Sequence, residues 1–203
     1  MKVTTIVFDM GGVLVDFDAK RSLSTHFDEK YHALINEKTF ASETWKLMDK
    51  GTYSVEEAIR IMCREIPSEL HEEVSRMILD HEGEMPPIAK MYDVAKALKG
   101  NGYRILLLSN CPGWFDEFKK SVPAFEFFDG FIVSAWYNLI KPGEEIFRVL
   151  FDKFSLCPEE CFFIDDSPAN ISTALKLGMK AHCFSDKNTD KLITSLRSEG
   201  VNC

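Results

Sequence analysis

The stretch IVFDMGGVL, residues 6–14, decides the fold: an apolar run ends in an aspartate and continues directly into two glycines. The run does not alternate with polar residues, which is typical of a parallel strand that is buried on both faces. Asp9 then lies at the carboxyl end of that strand, where open α/β sheets form their active sites. We therefore expect Asp9 to be a functional residue.

Apolar runs of the same kind recur along the chain, with helical patterns between them. This alternation predicts an α/β protein with a Rossmann-like, doubly wound parallel sheet. The predicted strands are Thr4–Phe8, Arg104–Ser109, Phe131–Ser134, Cys161–Ile164 and Lys180–Phe184.

Residues 17–87 interrupt the alternation, because they contain helical patterns and no convincing strand. Two consecutive prolines, Pro86 and Pro87, mark the end of this segment. We therefore predict a core made of residues 1–16 and 88–203, with an inserted all-helical cap made of residues 17–87.

The composition excludes several classes of partner. The 203 residues carry a formal net charge of −8, and no Lys/Arg cluster tracks a phosphate backbone, so nucleic-acid binding is not expected. No apolar run approaches the roughly 20 residues that span a bilayer, and the first such run belongs to a strand, so neither a membrane span nor a cleavable signal is expected. The spacing of the six cysteines fits neither a zinc site nor a disulfide framework. Reduced thiols are typical of the cytoplasm, where we expect a monomer or a homodimer.

Polar residues follow the predicted strands at four points of the chain. In a parallel sheet all carboxyl ends lie at one edge, so these residues can converge on one crevice. Each signal is weak alone, since an Asp or Ser at a strand end often caps the next helix. The residues are Asp9, the pair Ser109-Asn110, Lys141 with Pro142, and the pair Asp165-Asp166.

The order of these segments is more specific than any one of them. FDMGGVL, LLLSN, Lys141-Pro142 and FFIDDSPANI resemble the four motifs of the haloacid dehalogenase-like hydrolases. The resemblance covers residues 4–16 and 90–185, and the helical insert lies where this superfamily has its C1-type cap. The amino-acid sequences of these motifs are especially similar to those of a branch that contains sugar-1-phosphate phosphatases and the phosphatase domain of soluble epoxide hydrolases.

The resemblance implies hydrolysis of a phosphate monoester. Asp9 is then the nucleophile and forms an aspartyl-phosphate. Asp9, Asp165 and Asp166 supply hard oxygen ligands that suit Mg²⁺, together with the backbone carbonyl of Gly11. Lys141 adds a positive charge for the phosphoryl oxygens and acts as a catalytic residue.

Ser109, Asn110 and Lys141 are the predicted phosphate-binding residues. For Asn170 two alternatives stay open: a hydrogen bond to Lys141 or a loop carbonyl, or simply a polar residue on the next helix. The implied substrate is a small phosphorylated metabolite, such as a sugar phosphate like glucose 1-phosphate.

Gly11 departs from the usual pattern of the resembled phosphatases. They have an aspartate at this position, whose side chain protonates the leaving alcohol and then activates water. Gly11 keeps a backbone carbonyl for the metal but lacks that carboxyl group, and general acid–base help is typically worth about 10²–10⁴ in rate. Asp16 is a candidate substitute, although its position also fits a hinge or capping residue.

Two other interpretations stay open. Haloacid dehalogenases also lack the second aspartate, but the pair Asp165-Asp166 argues against one, and Arg21 is the only arginine close after Asp9. A domain that binds metal and phosphate without turnover is the other alternative.

The cap is expected to determine specificity. Phe40, Trp45 and Met48 lie on one helical segment and are candidates to line a sugar-sized pocket, although such a stripe is more often cap core. Trp114 follows the second motif and could contact the leaving group or pack under the cap.

Overall fold

The computed structural model describes the backbone of residues 1–203 and every side chain except those of His81 and Glu82. The described backbone forms one sheet in the order β3-β2-β1-β4-β5, and each neighbouring pair is parallel. The predicted α/β fold is therefore confirmed, and each predicted strand bound lies within one residue of the observed one. The strands are β1 Thr5–Phe8, β2 Arg104–Ser109, β3 Gly130–Val133, β4 Cys161–Asp165 and β5 Lys180–Cys183.

Helices fill most of the remaining chain. None of the described helices is both long and apolar enough to cross a lipid bilayer. The α-helices are α1 Ala19–His26, α2 Glu29–Lys38, α3 Glu43–Asp49, α4 Val55–Met62, α5 His71–Leu79, α6 His81–Glu84, α7 Ala89–Gly100, α8 Phe115–Phe118, α9 Ser134–Tyr137, α10 Glu144–Phe154, α11 Pro168–Lys176 and α12 Thr189–Ser198. Short 3-10 helices are formed by Cys63–Glu65, Ser68–Leu70, Lys119–Ser121, Pro123–Phe127 and Pro158–Glu160.

The sheet is covered on both faces, because successive side chains of a strand point to opposite sides. Ile6 and Phe8 of β1 are buried in one apolar cluster, which also contains side chains of α7 and α12. Val7, between them, is buried in a second cluster with side chains of α10 and α11. This double burial explains why the strands are continuously apolar.

The helices between β1 and α7 have an apolar cluster of their own. Leu23, Ile35, Met48, Ile59 and Met77 are buried there, and the cluster draws on residues 23–78 only. We propose that this separate cluster makes residues 17–87 a cap.

Two chain segments connect that cap to the core and lie side by side. The Ile88 N–H donates to the Leu14 carbonyl at 2.9 Å, and the Asp16 N–H donates to the Pro86 carbonyl at 2.8 Å. These bonds support cap boundaries at 16–17 and 87–88, which stay a prediction.

The end of α3 is fastened to the core. The buried Ser134 hydroxyl, at the start of α9, donates to the Asp49 carbonyl and accepts from the Cys111 N–H at 2.8 Å. Gly51 packs against Ala135 so closely that a Cβ at Gly51 would lie 2.6 Å from the Ala135 carbonyl oxygen. Asp49 is therefore held beside the carboxyl end of β2.

The turn after β1 depends on Gly12. Its φ is 70°, in the left-handed region that favours glycine, and its N–H donates to the Val15 carbonyl at 2.8 Å. A Cβ at Gly12 would lie 2.2 Å from Asp166 Oδ2. Neither restriction applies to Gly11, where a Cβ would meet nothing within 4 Å.

The neighbouring glycines provide a matched pair of variants. We expect Gly12→Ala to lower the free energy of unfolding by about 1–3 kcal/mol, because alanine is strained in this conformation and must displace Asp166. Gly11→Ala should stay within about 0.5 kcal/mol of the original chain, since it meets no neighbour. Urea denaturation measures both values, and equal losses for the two variants would contradict this account of the turn.

Candidate active site

The sheet register brings the predicted carboxylates together. Phe8 pairs with Ile164 across β1 and β4, and the Asp9 N–H donates to the Ile164 carbonyl at 2.8 Å. One carboxylate oxygen each of Asp9, Asp165 and Asp166 lies within 4.8 Å of the others. The carboxyl ends of these two adjacent strands thus form an acidic cluster.

Lys141 supplies a positive charge inside this cluster. Its Nζ lies 2.8 Å from Asp9 Oδ1 and 2.6 Å from Asp165 Oδ2, and its side chain is only 1% exposed. Burial alone would lower the pKa of Lys141, but the charges of Asp9 and Asp165 outweigh it and hold that pKa above its usual value. Lys141 is therefore an ammonium ion that bridges two carboxylates.

Asp165 is fixed by its neighbours on α11. Asn170 Nδ2 lies 3.0 Å from each carboxylate oxygen, and the Ser167 N–H donates to Oδ1 at 2.8 Å. Asn170 therefore lies on the next helix, as one alternative had it, and its side chain binds Asp165 where the other alternative named Lys141 or a loop carbonyl. Asp165 itself is completely buried and needs these donors to be stable there. Asn170 thus positions Lys141 indirectly, through Asp165.

Asp9 has one oxygen engaged and one directed elsewhere. The Met10 N–H donates to Asp9 Oδ1 at 2.7 Å, and the Lys141 ammonium contacts the same oxygen. Both contacts from the described part of the chain fall on Oδ1, so Oδ2 is the oxygen suited to nucleophilic attack. Burial raises the pKa of Asp9 to about 7, and the charges of Asp165 and Asp166 add to this against the opposing effect of Lys141.

The donor set fits a divalent cation. Three carboxylates lie close together, and the one ammonium pairs with two of them. Burial, followed by the charge of Asp165, also raises the pKa of Asp166. Hard oxygen ligands of this kind suit Mg²⁺, and such an ion would supply the positive charge that Lys141 alone does not. Metal roles for Asp9, Asp165, Asp166 and the Gly11 carbonyl stay predictions.

The second motif lies beside β1. Ser109 is buried at the end of β2, and its hydroxyl donates to the Asn110 carbonyl at 3.5 Å, a long and weak contact. The Asn110 side chain binds the Lys141 backbone: its Oδ1 accepts from the Lys141 N–H at 2.8 Å, and its Nδ2 donates to the Lys141 carbonyl at 3.0 Å. Asn110 therefore joins β2 to the lysine loop, and its phosphate-binding role stays a prediction.

A cavity of about 170 Å³ lies between this site and the cap. Gly11 and Asn110 form its core side, and Trp114 also lines it. On the cap side, the Phe40 ring packs against Trp45, with ring centroids 4.8 Å apart. Both residues line the cavity and also pack against the cap cluster, so each of the two alternatives weighed from the sequence applies to them.

Met48 belongs to the cap core, the other alternative that the sequence left open for this stripe. Its side chain is completely buried in the cap cluster.

Asp49 is a cavity residue that the sequence did not reveal. It ends α3 and lines the cavity beside Trp45. Burial, followed by the charge of Asp9, raises the pKa of Asp49 to about 7. Its position four residues after Trp45, on the same helical face, was the signal that could have identified it.

Asp16, the predicted substitute acid, has a different environment. Its carboxylate contacts Arg21 at 2.6 Å and also Lys187. Hydrogen bonds from these two cations lower the pKa of Asp16. Arg21 also donates to the Glu84 carbonyl at 3.2 Å. The contacts among Asp16, Arg21 and Glu84 therefore link the chain that enters the cap to the chain that leaves it. Asp16 therefore fits a hinge residue and is a poor proton donor.

Comparisons with known proteins agree with this geometry. A model of the haloacid dehalogenase-like hydrolases matches residues 3–178. The chain is similar to the sesquiterpene phosphatase astK of Aspergillus oryzae, with 25% identity over 176 residues that make up 85% of each protein. It is also similar to the D-ribitol-5-phosphate phosphatase of Bacteroides thetaiotaomicron, with 25% identity over 198 residues, 88% of this chain and 90% of that protein.

A solved structure shows the same fold. It is a HAD family enzyme of Bacteroides thetaiotaomicron in complex with magnesium and inorganic phosphate, with a TM-score of 0.67 and 20% identity. The match covers 89% of this chain and 93% of that one.

The raised pKa of Asp9 makes Mg²⁺ binding dependent on pH. Between its ordinary pKa of 3.8 and about 7, the folded protein keeps a proton that the unfolded chain loses. Without metal, stability from this group therefore falls as the pH rises through that range. Because Mg²⁺ needs the ionised carboxylate, its stabilising effect should grow over the same range.

We expect Mg²⁺ to raise the melting temperature more at about pH 8 than at about pH 5.5. Asp9→Asn should weaken both the Mg²⁺ effect and its pH dependence, since the amide does not titrate. Differential scanning fluorimetry with Mg²⁺ or EDTA gives the comparison. A Mg²⁺ effect that is equal at both pH values, or unchanged in Asp9→Asn, would argue against a metal at Asp9.

Proposed function

The chain belongs to the haloacid dehalogenase-like hydrolases, and from this we propose that it is a Mg²⁺-dependent phosphate monoester hydrolase. It acts through an aspartyl-phosphate on Asp9. The observation that carries the proposal is the cluster of Asp9, Asp165 and Asp166, with the buried Lys141 paired to the first two. Two relatives that are named phosphatases support the same reaction class.

The chemistry follows from charge. A phosphate monoester is a dianion, so a carboxylate approaches it only where positive charge compensates the repulsion. Bound Mg²⁺ would supply most of that charge. Lys141 supplies the rest and orients Asp9 through Oδ1, which leaves Oδ2 to attack phosphorus. Ser109 and backbone N–H groups of its loop then donate to the phosphoryl oxygens.

The cavity favours a small leaving group. Its volume of about 170 Å³ lies below the usual range of roughly 300–1,000 Å³ for ligand pockets. We propose a sugar phosphate, such as glucose 1-phosphate, as the first substrate candidate. Aromatic rings such as Phe40 and Trp45 pack against the apolar faces of sugars, and Asp49 offers a carboxylate to their hydroxyl groups. The D-ribitol-5-phosphate phosphatase is a relative with a substrate of comparable size.

A specific observation favours a second candidate. Most side chains around the cavity are apolar, including Phe17, Phe40, Trp45, Met77 and Trp114. Such a lining suits the phosphate ester of an apolar alcohol. One protein similar to this chain is named a sesquiterpene phosphatase. A short prenyl monophosphate therefore belongs in any substrate panel.

The alternatives from the sequence receive less support. A dehalogenase attacks carbon and has no use for a dense acidic cluster. Arg21, the arginine considered for halide binding, is engaged by Asp16 and the Glu84 carbonyl. A binding domain without turnover does not explain why Lys141, Asp165 and Asn170 are held in one hydrogen-bonded chain beside Asp9.

Turnover is tested with a panel of phosphates in the presence of Mg²⁺. The panel contains p-nitrophenyl phosphate, hexose and pentitol phosphates, and a short prenyl monophosphate. We expect release of inorganic phosphate by the original chain, and a loss of more than about 10³-fold in Asp9→Asn.

Asp152→Asn is the matched control, because Asp152 is an exposed carboxylate on α10. It should keep full activity. Hydrolysis that survives unchanged in Asp9→Asn would contradict the nucleophile, and no hydrolysis of any phosphate would favour the binding domain.

A further inference from the structure

We propose that Asp49, on the cap, is the general acid and base that Gly11 does not provide. This inference rests on the proposed function, since it assigns a residue to the same reaction. It adds a catalytic residue that none of the sequence motifs contains.

Position is the first argument. Asp49 lines the same cavity as Gly11 and Asn110, so it lies over the space that the leaving group must occupy. The Ser134 hydroxyl holds its backbone carbonyl, and Trp45, one turn earlier on the same helix, lines the cavity beside it. Asp49 is therefore presented to the cavity by a helix end that the core holds in place. A proton donor needs this kind of fixed position to act in the transition state.

Competing carboxylates are less suitable. Asp80 also lines the cavity, but it is exposed and its Oδ1 accepts from the Gly83 N–H at 3.0 Å. Glu84 lines it as well, yet its Oε1 is bound to His26 Nε2 at 3.0 Å. Asp16 is ion-paired to Arg21 and Lys187 at the hinge.

The protonation of Asp49 agrees with such a role. Burial and the nearby charge of Asp9 favour the neutral carboxyl group, which raises its pKa to about 7. The group can then give up a proton and recover it near neutral pH, as an acid–base catalyst must.

With Asp49 as the acid and then the base, formation and hydrolysis of the aspartyl-phosphate both balance. Asp9 Oδ2 attacks phosphorus, and the bond from phosphorus to the leaving oxygen breaks. The electron pair stays on that oxygen, which takes the proton from the Asp49 carboxyl group and departs as an alcohol. Water then enters from the same side, and Asp49 accepts its proton as the oxygen attacks phosphorus. The bond from phosphorus to Asp9 Oδ2 breaks, and its electron pair stays on Oδ2. Inorganic phosphate, the Asp9 carboxylate and the Asp49 carboxyl group are restored.

The test uses the leaving group as a readout. In Asp49→Asn, kcat/KM for the best alkyl phosphate of the panel should fall by about 10²-fold or more, because an alkoxide needs a proton. For p-nitrophenyl phosphate it should change by no more than about threefold, because the acidic phenol leaves unaided. Loss of the base should also produce a burst of one p-nitrophenolate per active site, followed by slow turnover.

Gly11 allows a rescue experiment. A Cβ at this position meets nothing within 4 Å, so an aspartate can be introduced where related phosphatases have one. Gly11→Asp in the Asp49→Asn chain should restore much of the activity on the alkyl phosphate. Gly11→Ala in the same chain is the control, and it should restore none.

The outcomes separate this inference from the proposed function. Suppose that Asp9→Asn is inactive, and that Asp49→Asn either loses the same activity on both substrates or keeps full activity on both. Asp49 is then not the acid, and the phosphatase proposal still stands. If the original chain hydrolyses neither substrate, the proposed function fails, and this inference fails with it. Asp49→Asn should keep the Mg²⁺-dependent rise in melting temperature, which separates a lost proton donor from a damaged metal site.

Discussion

Three carboxylates lie close together, but the one buried ammonium ion beside them pairs with only two, and this charge imbalance is the constraint on which the site depends. Asp9, Asp165 and Asp166 lie within reach of a single ion, and like charges at such distances resist ionisation. The parallel sheet enforces their proximity, because β1 and β4 are neighbours in register. Lys141 offsets only part of the negative charge. The arrangement therefore favours binding of a cation, and with it a phosphate that the cation attracts.

The same arrangement separates two tasks that one motif usually combines. The core neutralises charge, while the residue at position 11 has no carboxyl group for moving a proton. Asp49 fills that gap from the cap, and Ser134 fixes its helix end to the core. On this account neither part of the chain completes the reaction alone. The leaving group is bound by the same surface that protonates it.

Much of the fold was predictable because its signals are local. Arg104–Ser109 is continuously apolar, and its strand has the predicted bounds. The acidic cluster was predictable too, since parallel strands present their carboxyl ends at one edge. The role of Asp49 was not predictable, because a helical sequence pattern indicates which residues form the polar face but not which part of the protein that face contacts. The sequence left alternatives open for Met48 and Asn170 as well, because tertiary packing determines the partners of both side chains.

Chemical trapping of the phosphorylated residue tests the central claim most directly. The protein is mixed with Mg²⁺ and p-nitrophenyl phosphate, quenched, and treated with borohydride, which reduces an acyl phosphate of aspartate to homoserine. Peptide mass spectrometry then locates the modified residue. We predict homoserine at position 9 only after exposure to substrate, with no modification in Asp9→Asn. An active protein that is modified at another residue, or at none, would contradict the account.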